Sequence, residues 1–204
     1  MKLPFQRDVH KPKASEILKI MHSETNSIDL LSDKLSAVLR TIPAQQPLVI
    51  VCVGTDRSTG DALGPLVGSQ LQKQGIKGLH LYGTLENPVH AMNLNETLTT
   101  IQQHFNDPFV IAIDACLGQL TSVGYIQVGD GPVKPGAGVN KELPPVGHMH
   151  VTGIVNVGGF MEYFVLQNTR LSLVMNMAEV IAKSFQTAFS DKRQWSPTSL
   201  VRID

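Results

Sequence analysis

Three polar residues sit where an apolar chain segment would place chemistry. Asp114 closes the apolar run FVIAID at 109–114, Asp61 follows the run LVIVCV at 48–53 across the excursion TDRSTGD, and His150 ends the cluster Gly147-His148-Met149-His150. Two carboxyl groups a few ångströms apart cannot both ionise freely, so one keeps a proton and the site holds an acid and a base together. Such a pair can activate water against a carbonyl. In extended chain His148 and His150 face the same side, so either imidazole could reach a carboxylate or a shared ion. Asp61, Asp114 and one imidazole would give a three-ligand site with open positions, suited to metal-assisted hydrolysis. Against this stand plainer readings: Asp61 at a helix start is well suited to capping, and a histidine pair is as readily one carbonyl-bonded ring and one solvated ring.

These residues need elements to hold them. The runs 48–53 and 109–114 read as central strands covered on both faces. Residues 62–74 read as a helix with Pro65 in its first turn and Gly75 past its end. Ile28, Leu31, Leu35, Val38 and Leu39 recur at helical spacing and give a helix ended by Pro43 and Pro47. A strand is expected at 79–82, a helix at 91–105, a strand at 122–128 and a Pro/Gly-rich loop at 131–147. Further expectations are a helix at 155–166, a last strand at 171–174 and a closing helix at 175–189. Residues 1–26 read as an N-terminal arm with a short helical turn around 16–21, and 27–204 as one domain. Strands alternating with helices imply a largely parallel sheet with helices on both faces, and ligands gather beyond the carboxyl ends of such strands.

The chain has 204 residues with 42% hydrophobic and 17% charged, a compact soluble composition. Lys plus Arg equals Asp plus Glu at 17 each, so no summed field draws in nucleic acid or an anionic membrane. No apolar stretch is long enough to span a bilayer, and the N-terminus lacks the apolar core of a signal peptide, which makes the cytoplasm the expected address. Cys52 and Cys116 lie in apolar runs and read as small buried hydrophobes. Dinucleotide, P-loop and serine-hydrolase motifs are absent. Lys134 and Lys141 flank PGAGV, whose amides could bind an anion or a peptide backbone.

The blocks VGTDRSTGDALGPLVG at 53–68, AIDA at 112–115 and YIQVGDGPVKPGAGVNK at 125–141 resemble the YyaC-type sporulation proteins. They are also similar to the germination protease that degrades small acid-soluble spore proteins, an atypical aspartic peptidase whose key aspartates fall on Asp61 and Asp114. A more distant resemblance is to the hydrogenase-maturation endopeptidases, whose metal-contacting acid, strand-end aspartate and histidine fall on Asp61, Asp114 and His150, the last in HVTG. The resemblance implies a three-layer α/β/α fold with a mostly parallel, mixed sheet, and a sporulation-associated peptidase in the cytoplasm of the sporulating cell or spore. Asp61, Asp114 and His150 would be catalytic or hold one divalent metal ion, with Gly54, Gly60, Gly136, Gly138, Asn140 and His148 around a peptide substrate such as a spore protein. A homo-oligomer stays open. So do an aspartic or a metal-dependent mechanism, and a non-catalytic module that holds a peptide or metal. A different small-molecule hydrolase is the weaker rival.

Overall fold

A computed structural model describes residues 17–136 and 143–190. Its centre is a six-stranded mixed sheet built from β1 (Leu18–Met21), β2 (Leu48–Cys52), β3 (Leu79–Tyr82), β4 (Phe109–Gly118), β5 (Tyr125–Asp130) and β6 (Met149–Val157) in the order β1-β5-β6-β4-β2-β3. The four strands β3, β2, β4 and β6 run parallel, while β5 is antiparallel to both β6 and β1. The α/β architecture with a mostly parallel sheet is therefore as the sequence pattern implied.

Strand β2 is buried throughout, and its alternate residues feed two separate cores. Leu48, Ile50 and Cys52 join Ile111 and Ile113 on one face, covered by α1 (Ser27–Leu39), α2 (Leu63–Gln74) and α5 (Leu171–Ser190). Val49 and Val51 join Val110 and Ala112 on the other, covered by α3 (Leu94–His104) through Leu94 and Ile101. Helix α1 forms because Leu31, Leu35 and Leu39 align on one buried stripe. Helix α2 presses its backbone onto the sheet. A methyl group on Gly64 would strike the Val53 carbonyl, and one on Gly68 the Gly83 carbonyl. A short helix α4 (Glu162–Gln167) follows β6 and touches both that strand and the 3₁₀ turn Gly60–Ala62 ahead of α2.

Several elements differ from the sequence pattern. The expected turn around 16–21 is instead the edge strand β1, held by pairing of Leu18 with Val128 through Met21 with Tyr125. Residues 155–157 end strand β6, and only Glu162–Gln167 of the expected helix is helical. No strand forms at 171–174, since α5 is continuous from Leu171 and buries Val174, Met177, Ala178 and Ile181 on one stripe. Strand β4 does not stop at Asp114 but runs on to Gly118, because β6 keeps pairing with it. Among the described residues no helix is long and apolar enough to cross a membrane.

Candidate active site

Strand β2 leaves the sheet early, and this opens the site. Its last ladder pair is Cys52 with Ile113, followed by a 2.7 Å bond from the Val53 N–H to the Ile113 carbonyl. Gly54 then turns away, with φ +146° and its N–H on the Val89 carbonyl at 2.8 Å. Asp114 is the first β4 residue beyond that departure. Residues 110–113 are buried, whereas 114–118 are half-exposed.

The chain from Gly54 returns through residues 55–60 to the 3₁₀ turn that carries Asp61, closed by a 3.1 Å bond from the Thr55 N–H to the Asp61 carbonyl. Neither this turn nor α2 is capped by a side chain at its N-terminus. Asp61 is thus not a helix cap, and its carboxyl is in electrostatic contact with Asp114.

The environments of the two acids are unequal. Burial pushes the Asp114 carboxyl up to about 8; the Ala115 N–H, bonded to Asp114 Oδ1 at 2.9 Å, pulls it down, and the neighbouring Asp61 charge pushes it up. Asp61 is also raised above the ordinary carboxylate range by burial, with Ser58 opposing. Ser58 Oγ is buried and makes no well-formed hydrogen bond among the described residues, so its pull on Asp61 is that of a nearby dipole. At neutral pH the arrangement favours a proton on Asp114 and a charge on Asp61.

Two further groups share this face of the sheet. Thr152 is the register partner of Asp114, and Cys116 follows Asp114 by two residues, hence on the same side. Cys116 is half-exposed, not the buried hydrophobe its apolar run implied, while Cys52 is fully buried. Burial raises the Cys116 thiol to about 11, against the pull of Thr152 and with the push of Asp114. It stays protonated and is no thiolate nucleophile.

The histidines go elsewhere. His148 accepts the Val110 N–H at 3.0 Å and stacks on Phe109 at 5.3 Å; Val110 lies four residues before Asp114 on β4, about 13 Å down the strand. His150 pairs in register with Ala112, one step below the Asp114–Thr152 pair, and with Gly129 on the other side. Its ring occupies the space that a Gly129 side chain would fill, and Nδ1 bonds the Gly131 carbonyl at 3.0 Å. The imidazole thus leans toward β5 and away from β4. Among the described residues no three His, Cys, Asp or Glu side chains group in a way that could hold a metal ion. The ligand set Asp61, Asp114 and His150 is not assembled. His150→Ala is expected to lower stability by about 1 kcal/mol, through one lost hydrogen bond, and to leave turnover unchanged. A steady-state assay of the purified variant checks it.

Of the expected substrate-binding glycines, Gly54 and Gly60 flank the Asp61 loop. Gly60 lies where any side chain would meet Leu166 and Thr169, so it lets α4 pack against the site. Gly136 is half-buried in a turn, and Gly138 and Asn140 lie outside the described residues. Ser58, Cys116 and Thr152 were not anticipated; two-residue alternation from Asp114 would have found Cys116.

Residues 19–184 match the family model described as "Protein of unknown function (DUF1256)". The chain is 53% identical over 176 residues to the uncharacterized protein YyaC of Bacillus subtilis (strain 168), covering 86% of this chain and 84% of that one. Among solved structures, the NiFe hydrogenase maturation protease HycI from Thermococcus kodakarensis KOD1 superposes with a TM-score of 0.51. It covers 78% of this chain and 99% of its own at 16% identity, a likeness of fold.

Proposed function

The chain belongs to the DUF1256 family, and from that premise we propose that it is a peptidase in which Asp61 and Asp114 work as base and acid on a water molecule. The observation that carries this reading is the unequal pair itself: two carboxyls in electrostatic contact beyond the end of β2, one pushed up to about 8 and the other less perturbed. The fold shared with a maturation protease supports it. So do the exposed aromatic side chains of Tyr163 and Phe164 in α4 and of Phe160 just ahead of it, a surface suited to polypeptide.

The step balances without further reagents. Asp61 carboxylate takes a proton from water as the water oxygen bonds to the peptide carbonyl carbon, and Asp114 gives its proton to the carbonyl oxygen. On collapse the C–N bond breaks, Asp61 returns its proton to the leaving nitrogen, and the hydroxyl proton goes back to Asp114. A divalent metal ion has no fitting donor set of three His, Cys, Asp or Glu side chains among the described residues.

Turnover therefore needs Asp61 ionised and Asp114 protonated. The rate is expected to fall above about pH 8 as the pair loses its proton. It falls on the acid side at a pH above the ordinary 3.8, because burial raises Asp61. The deciding experiment maps new protein N-termini by mass spectrometry in sporulating-cell extract, with the wild-type chain, Asp61→Asn and a chelator. Termini that require Asp61 and survive the chelator are expected. Their identity decides whether the substrate is a spore protein, as the resemblance to the germination protease implies. Their absence from folded protein across pH would replace the peptidase by a peptide-binding module.

A further inference from the structure

The departure of β2 leaves more than a gap above the acids. Strand β4 continues for five residues past Ile113, Asp114–Gly118 by register, with β6 still paired on one side. On the other side, no strand pairs with it beyond Ile113 among the described residues. Backbone groups along a strand alternate between its two edges. The Ile113 carbonyl faces β2, since it accepts the Val53 N–H, so Ala115 and Leu117 present their backbone groups to the same, vacated edge. The register slip between Cys116 and Leu117 places its extra residue on β6 and leaves the alternation of β4 intact.

One of those groups is already used in a telling way. The Ala115 N–H points into the vacated lane and is met there by Asp114 Oδ1 at 2.9 Å. The carboxyl of Asp114 thus curls around to the open edge. What remains along the lane is the Ala115 carbonyl with the Leu117 N–H and carbonyl, and the first two are an acceptor and a donor spaced as a strand partner would need them. Residues 114–118 are each partly exposed, and the 3₁₀ turn Gly60–Ala62 packs against β4 without pairing with it as a strand. Beyond it the chain ties back through a 2.8 Å bond from the Gly158 N–H to the Gly118 carbonyl, and two residues later Phe160 stands 86% exposed.

We infer that the substrate is an extended segment of polypeptide that adds to the sheet as a strand in the lane vacated by β2, bonding the Ala115 carbonyl and the Leu117 N–H and passing over Asp114. This rests on the peptidase reading for what happens next, but the docking is a separate claim. Main-chain bonding of this kind supplies affinity with little regard for sequence, and neighbouring side chains supply selectivity. A folded protein cannot enter such a lane; a flexible tail or loop can.

The test measures binding of a fluorescein-labelled pool of random-sequence unstructured peptides by anisotropy, using the full chain carrying Asp61→Asn so that nothing is cut. The same pool with every backbone nitrogen methylated has no donor for the Ala115 carbonyl on either edge and is expected to bind about tenfold more weakly, the loss of one or two hydrogen bonds. Leu117→Pro in that background removes the donor without touching the β6 ladder and should weaken the plain pool equally. Leu117→Ala, which keeps the donor and loses the packing, should not. If Leu117→Pro lacks a native circular dichroism spectrum, the methylated pool decides alone. Equal binding of the two pools, or no saturable binding of the plain pool, overturns the inference. Methylation-sensitive binding without any Asp61-dependent cleavage would instead sink the peptidase reading and leave strand addition standing.

Discussion

Asp114→Asn should destroy turnover and stabilise the protein at the same time. Loss of the general acid is expected to lower kcat by about 10³-fold, the range for removing a positioned proton donor. Stability moves the other way because the folded-state value of Asp114 is raised to about 8 from an ordinary 3.8. Between those values the folded chain holds a proton that the unfolded chain releases, so this residue's support for the fold is complete at acid pH and disappears as pH rises through 8. Asparagine keeps the shape and the acceptor for the Ala115 N–H while carrying no charge to bury. Asp114 retains some contact with solvent, so the full shift overstates the effect, and a gain on the order of 3 kcal/mol at pH 8 is expected. For a chain of this size that is roughly 6–12 °C in Tm. Calorimetry of both proteins from pH 4 to 9 checks it: the curves should meet near pH 4, draw apart progressively as pH rises, and run parallel above about pH 8. A variant no more stable at pH 8 than at pH 4, relative to wild type, would mean that Asp114 is ordinarily ionised and cannot be the acid.

The sequence carried this pair because strand ends and acids are local signals. The runs 48–53 and 109–113 are apolar without interruption, as strands covered on both faces must be, and each leads to a carboxyl. What could not be read is where a neighbour stops. In the sequence Asp114 reads as the end of its strand because the apolar run 109–113 ends there, yet β4 continues as long as β6 pairs with it, and only β2 has gone. The vacated lane is therefore invisible in either segment alone. His150 failed for the same kind of reason. Its spacing from His148 permits a shared ligand, but its orientation is decided by a glycine on the adjacent strand, Gly129, and by the Gly131 carbonyl.

Short elements were lost where their stability comes from pairing. LKIM at Leu18–Met21 has little pattern of its own and is a strand because β5 offers it an edge. The short stretch LSLV at 171–174 fits a strand or a turn of helix equally well. The longer stripe through Val174, Met177, Ala178 and Ile181 settles it as helix. Cys116 reads as buried because its sequence neighbours are apolar, whereas the strand has by then passed beyond its cover.

Gly54→Ala is expected to cripple the site through the backbone alone. Gly54 has φ +146°, a conformation that side chains rarely adopt, and its methyl group would run into the Asp61 carbonyl oxygen and the Pro65 ring. Neither obstacle can swing aside, since the Asp61 carbonyl is bonded to the Thr55 N–H and Pro65 lies in the first turns of α2, whose backbone rests on the Val53 carbonyl. The strain is expected to cost about 2–4 kcal/mol. Because relief requires the Asp61 turn to move off Asp114, kcat should fall by about 10²-fold even at temperatures where the variant is fully folded, as for any misplacement of about 1 Å between reacting groups. Gly75→Ala separates the two contributions. Gly75 is also left-handed, with φ +60°, but has nothing within 4 Å of an added methyl group and lies at the far end of α2. It should cost about 1 kcal/mol and leave kcat unchanged. Thermal melts and single-turnover rates on the two variants decide the matter. If Gly54→Ala behaves like Gly75→Ala in both, the departure of β2 at Gly54 does not set the distance between the two acids.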